Sequence, residues 1–176
     1  MTDAAADDAR AAIAAAIDRL TSAGARTEAL AELRIPRRIG PLRRTPRFVP
    51  IGPVWRLGVL LLATDGRMFA TGAVTRARDP RHPNFTSVSG EERRELREAA
   101  RKAGFGAGET VDYDAALLLS VDGEFDQTLG TVGPLVVRDG ELLVSWNASR
   151  AADSLVPFAS YLAERVELLA DPPEGA

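Results

Sequence analysis

The sequence predicts an α+β fold: one domain, with an antiparallel sheet of about five strands packed by two main helices. Three observations point to it. Apolar runs flank Asp-Gly pairs at Asp65-Gly66 and Asp139-Gly140, with a third pair at Asp122-Gly123; this is the signature of antiparallel hairpins. The segments Glu91 to Ala103 and Ser154 to Ala170 carry apolar residues at helical spacing. A chain of 176 residues is long enough to bury a core of its own.

Taken in order, the chain opens with a helical extension over residues 1–33. Ile13, Ile17 and Leu20 recur at helical spacing among alanines, so a helix starts near Thr2 or Asp3 and ends at Gly24. Thr27 reads as the cap of a short second helix with Leu30 and Leu33 on its inner face. Residues 34–53 read as a Pro/Arg-rich arm or linker. Pro36, Pro41, Pro46, Pro50 and Pro53 forbid a continuous helix or central strand, and Phe48, Val49 and Ile51 pin the arm's end.

The core domain is expected over residues 54–170. Val54 to Ala63 and Arg67 to Val74 form a hairpin through a type I′ turn at Asp65-Gly66. Gly58 and Gly72 leave room beside the strands for a helix, a ring or a ligand. Ser89 and Glu92 have the spacing of a capping box for the helix Glu91 to Ala103, which Gly104 ends with Phe105 folding back. Val111 to Ser120 is a third strand. Thr131 to Val137 and Glu141 to Trp146 form a second hairpin. Ser154 caps the last helix, whose stripe Leu155, Phe158, Leu162, Val166 and Leu169 lies over the sheet. Residues 171–176 are a tail.

Composition narrows the chemistry. The chain has no cysteine, which excludes disulfides and thiolate metal sites, and a single histidine, His82. The acidic start, Met1 to Asp8, lacks the basic head and apolar centre of a secretory signal, so a cytoplasmic location is expected. Neither a phosphate-binding glycine loop nor a nucleophile elbow occurs, and no cofactor is implied. The net charge of −3 conceals a strong asymmetry. Residues 34–56 hold seven arginines and no acid, whereas from Glu109 onward three arginines face thirteen acids. Such a layout is satisfied within one chain, between two copies, or by a charged partner.

Candidate sites follow from these charges. Asp112 and Asp114 alternate in a strand, and Asp122, Glu124 and Asp126 repeat the spacing, so the five carboxylates could hold a hard divalent cation. Arg37, Arg38, Arg43, Arg44 and Arg47 on the arm, with Arg76, Arg78 and Arg81 after the first hairpin, are candidates for holding an anion or a partner. The reading preferred is a non-enzymatic interaction or structural protein, with a homo-oligomer or another protein as partner. Whether it is an enzyme stays open. One alternative is a small hydrolase or ligand-binding domain with an acidic, cation-assisted site. The other is an accessory protein that contacts nucleic acid through the arm, which the acidic remainder of the chain disfavours.

Overall fold

Three helices, a seven-stranded mixed sheet and a three-stranded antiparallel sheet make up the fold, seen in a computed structural model that describes residues 2–36, 45–78, 88–120, 124–125, 133–147 and 154–172. The class is the α+β class that the sequence predicts. The elements in chain order are α1 (Asp3–Ser22), β1 (Glu28–Arg34), β2 (Arg47–Leu57), β3 (Leu60–Ala63), β4 (Met68–Ala70), β5 (Ala73–Arg76), α2 (Val88–Lys102), β6 (Thr110–Tyr113), β7 (Ala116–Leu119), β8 (Leu135–Arg138), β9 (Glu141–Ser145), β10 (Leu155–Pro157) and α3 (Phe158–Ala170). They sort into two compact units. The first comprises Met1–Thr27, Val54–Thr71 and Ala116–Ala176, and the second Glu28–Pro53 and Gly72–Ala115.

The first unit is built on a meander. Val54 to Leu57 of β2 pair antiparallel with β3, β3 with β4, and β4 with β7. Leu60, Leu61 and Leu62 are fully buried, as an unbroken apolar run demands. Helices α1 and α3 pack on this core through Ala9, Ile13, Ala16 and Leu20 on one side and Phe158, Leu162 and Val166 on the other. The thin stripe of α1 is therefore core. Thr2 caps the helix by accepting from the Ala5 amide, and Gly24, at φ +60°, closes it. The three-stranded sheet, in the order β10-β9-β8, belongs to the same unit.

Several expectations in this unit need correction. The run Val54 to Ala63 is not one strand. It turns at Gly58-Val59, because Leu57 pairs with Leu60 and Gly58 sits at φ +66°, the first central position of a type II′ turn. The room beside Gly58 is taken by a ring: a Cβ there would strike the Tyr161 hydroxyl. That hydroxyl accepts from the Val59 amide at 3.1 Å and donates to the Leu57 carbonyl at 3.3 Å, so it fastens both ends of the turn. Asp65-Gly66 does not form the expected type I′ turn. Only Gly66 has positive φ, and its amide donates to the Ala63 carbonyl, which gives a β-turn ending in a left-handed glycine. Asp139-Gly140 does form the type I′ turn, with both residues at positive φ, and joins β8 to β9. Ser154 does not cap a helix. It is buried and donates to the Asn147 carbonyl, and residues 155–157 add a strand before α3 begins at Phe158.

In the second unit the strand order is β5-β6-β1, followed by the first part of β2. The short helix expected after Thr27 is instead β1, which pairs parallel with β6 through Ala29↔Val111 and Leu30↔Asp112. Its residues favour helix intrinsically, and strand pairing with three consecutive buried residues overrides that preference. The arm is structured at its end: Arg47–Pro53 belongs to β2, and Pro50 and Pro53 lie in the stretch that β3 does not reach. Val111 to Ser120 is two strands, β6 and β7, broken where Asp114 takes φ +55°. Helix α2 begins at Val88, just ahead of the expected capping box, and ends as expected at Gly104, at φ +94°, with the Phe105 amide returning to the Ala100 carbonyl. A separate core of Ala31, Phe48, Ala77, Ala99, Ala100, Phe105, Val111 and Tyr113 holds α2 on this sheet. The hairpin Asp122-Gly123 lies outside the described residues, as does His82.

Two tests follow. Tyr161→Phe removes both hydrogen bonds to the Gly58-Val59 turn and leaves a half-buried amide without its acceptor, so it lowers stability by about 1–2 kcal/mol, read from the urea midpoint. Glu167 accepts two hydrogen bonds from Arg19, at 3.0 and 2.9 Å, across α1 and α3. Those bonds foremost, and the guanidinium charge as well, hold its carboxyl below the usual glutamate range. A carboxyl depressed in the folded state stabilises above its unfolded pKa, and this contribution is lost as pH falls through the folded value. Glu167→Gln therefore lowers the urea midpoint at about pH 7, and the loss shrinks as pH falls below the usual glutamate range. A loss that does not change with pH would assign the effect to packing.

Candidate functional site

Ala77 organises the basic edge of the second unit. Its side chain is fully buried among Ala99, Ala100 and Val111, and its amide donates to the Glu109 carbonyl at 3.0 Å. Extended backbone alternates its side chains, so burying Ala77 turns Arg76 and Arg78 outward, and both are exposed. Helix α2 supplies the opposite wall. Ala99 and Ala100 face the core, and Leu96 packs at its margin. Arg93 and Arg97 flank Leu96 one helical turn apart, on the side that looks toward β5.

Together these residues enclose a hollow of about 370 Å³ lined by Val74, Thr75, Arg76, Arg78, Arg93, Leu96, Arg97 and Tyr113. Four guanidinium groups line it and no described lining residue is acidic. Among the described residues, Arg76, Arg78 and Arg97 enter no ion pair. Tyr113 is buried, and its ring packs edge-on against Phe48 at 5.3 Å between centroids. Burial first, and the charge of Asp114 second, push its phenol above the ordinary tyrosine range. The phenol is therefore neutral at physiological pH and able to donate a hydrogen bond. No described lining residue can act as a base, since guanidinium does not deprotonate and Thr75 has neither imidazole nor carboxylate beside it. The described lining thus carries positive charge and hydrogen-bond donors, and no described group on it accepts a proton.

A larger hollow of about 420 Å³ lies on the other flank of α2, and there the charges are balanced. Arg47 and Lys102 line it together with Glu95 and Glu98. Lys102 bonds Glu98 at 2.7 Å and by that contact, then by its charge, holds the Glu98 carboxyl below the usual range. Arg47 is thus separated from Arg76 and Arg78. In the first unit, a groove of about 280 Å³ between α1 and α3 is mainly alanine and is bounded by Arg19 and Glu167; its small residues serve close helix packing.

The sequence-predicted residues therefore scatter. Arg76 and Arg78 come together in the first hollow and Arg47 lies in the second, while Arg37, Arg38, Arg43, Arg44 and Arg81 lie outside the described residues. Of the acidic set, Asp112 is fully buried on β6 between Leu30 and Val74. Asp114 stands exposed beyond the strand end, where its positive φ breaks the alternation that would have placed it beside Asp112. Glu124 is exposed, and Asp122 and Asp126 lie outside the described residues. Among the described residues no group of three or more acidic or histidine side chains is placed to hold a metal ion. No described helix is long and apolar enough to cross a membrane.

Arg93 and Arg97 were missed by sequence reasoning, although a signal was present. The helical neighbours of Arg97 three and four residues away are Arg93, Arg94, Ala100 and Arg101. None is an acid, so the helix places like charges side by side, an arrangement that disfavours the helix itself. Comparison with protein-family models, curated proteins and solved structures gives no match for the chain.

The like-charge stripe makes a prediction about stability. Arg97→Gln relieves repulsion within α2 and raises the unfolding free energy by about 0.2–0.5 kcal/mol per relieved pair, measured by urea denaturation at low ionic strength. The gain shrinks as salt is added.

Proposed function

We propose that this chain is a non-enzymatic interaction protein of the cytoplasm that holds carboxylate groups of a protein partner in the four-arginine hollow of its second unit. The observation that supports this most is the lining itself: Arg76, Arg78, Arg93 and Arg97 all border the hollow, with no described acid among them. A surface designed only for solubility intersperses both signs. Arginine forks suit planar carboxylates and keep their charge at every physiological pH. A protein partner fits better than nucleic acid because the hollow offers no exposed ring for a base to stack upon; Tyr113, its one aromatic residue, is buried. Sequences like the acidic half of this chain, from Glu109 onward, have the chemistry required, so a second copy is one source of the partner surface.

The test is fluorescence anisotropy with a labelled glutamate-rich peptide and a lysine-rich counterpart of equal length. The acidic peptide binds at low salt and weakens steeply by about 0.3 M salt. Arg76→Glu combined with Arg97→Glu weakens it by about tenfold or more, a loss of about 1.4 kcal/mol. No binding of the acidic peptide at low salt, or equal affinity in the charge-reversed variant, sinks the proposal. Mass measurement by light scattering at low and high salt shows separately whether the partner is a second copy.

A further inference from the structure

The hollow lies along an unfinished sheet edge. Strand β5 ends the seven-stranded row, and among the described residues its only strand partner is β6. Which of its amides look outward follows from the end of the ladder. The Ala77 amide donates to the Glu109 carbonyl, and the Ala77 carbonyl accepts from the Gly108 amide at 2.7 Å. Backbone groups alternate along a strand just as side chains do. Ala73 and Thr75 therefore share Ala77's orientation toward β6, and the N–H and C=O groups of Val74 and Arg76 look outward. Those outward groups border the same hollow as Arg93 and Arg97 of α2.

Resting on the function proposed above, we propose that an acidic, proline-free segment of a partner protein binds as an added strand along the outer edge of β5. Its backbone pairs with Val74 and Arg76, and its alternate carboxylates reach Arg93 and Arg97. The dimensions agree. Alternate residues of a strand lie about 6.6 Å apart, and side chains one turn apart on a helix are separated by about 5–6 Å. Two acids spaced by one residue on the added strand thus have a spacing close to that of the arginine pair, with Arg97 the nearer match because it enters no ion pair among the described residues. The residue between them points to the other face, where Val74 is exposed by 48% and Arg76 stands next along the strand. A small apolar or β-branched residue fits opposite Val74, and a further acid fits opposite Arg76. The ligand is thus a short segment that alternates carboxylates with residues such as valine or threonine. Main-chain hydrogen bonds give such a complex its affinity, and the alternate side chains give it specificity.

Backbone methylation separates this geometry from simple charge attraction. Three peptides of one alternating Glu/Val sequence are compared by anisotropy: the parent, one N-methylated at the glutamates, and one N-methylated at the valines. Because the arginines fix the register, only one methylated set loses the amides that face β5. That peptide binds about tenfold or more weaker than the parent, whereas the other stays within about twofold. If both methylated peptides bind like the parent, strand addition is wrong and the charge-based function stands. If the parent itself does not bind, both fall. On the protein side, Val74→Pro removes one outward N–H, leaves every charge in place and spares the bonds to β6. It weakens the parent peptide by about tenfold, with Val74→Ala as the control that keeps the amide. Undiminished binding by a folded Val74→Pro protein overturns the inference. Should that variant fail to fold, the methylated peptides decide alone.

Discussion

The second unit is built around an absent side chain. At Gly72 any Cβ would occupy the space of the Tyr113 carbonyl and the Asp114 backbone. Only glycine lets the chain pass so close, and this approach is what starts β5 in register with β6, with Ala73 opposite Tyr113 and Arg76 opposite Thr110. Once that register is set, Ala77 falls into the core and Arg76 and Arg78 fall outside it. The basic hollow is thus a consequence of backbone contact before it is a matter of charge.

The opposite wall obeys a different constraint. Helix α2 contacts the core through alanines, which lets its backbone approach the sheet closely, and its Arg93 and Arg97 line the hollow beside β5. Arg93 and Arg97 are held where they repel each other. A helix under selection for stability alone would place a glutamate four residues before a basic residue, as α2 does on its other flank, where Glu98 meets Lys102. One helix therefore carries a flank where a lysine meets a glutamate and another where two arginines stand one turn apart. The arginine flank borders β5, and a charged edge of this kind also discourages indiscriminate pairing by neutral strands.

Much of this fold could be read from the sequence where local signals agree with tertiary packing. Thr2, Ile13, Leu20 and Gly24 define α1, and Gly104 ends α2. Asp139-Gly140 turns one hairpin as its chemistry requires. The misses have a common physical origin. Residues 28–34 are helix formers, yet they become a strand because a parallel partner, β6, lies far along the chain and leaves no local trace. Gly58 sits within an apolar run that suggests a strand, yet it makes a turn, fixed by a tyrosine from α3. Asp112 and Asp114 looked like neighbours on one face until a single left-handed residue parted them. As for the hollow, Arg76 and Arg78 are legible as basic residues after a hairpin, but that Arg93 and Arg97 line it with them depends on how α2 is seated, which only packing decides.

The phenol of Tyr161 carries a last implication, for the order in which a growing chain can settle. The turn at Gly58-Val59 is fastened by a residue 104 positions beyond Leu57, so the meander of the first unit stays unlatched until α3 has left the ribosome. The second unit draws on nothing beyond Ala115. During synthesis it can finish while the first unit still waits for its closing helix.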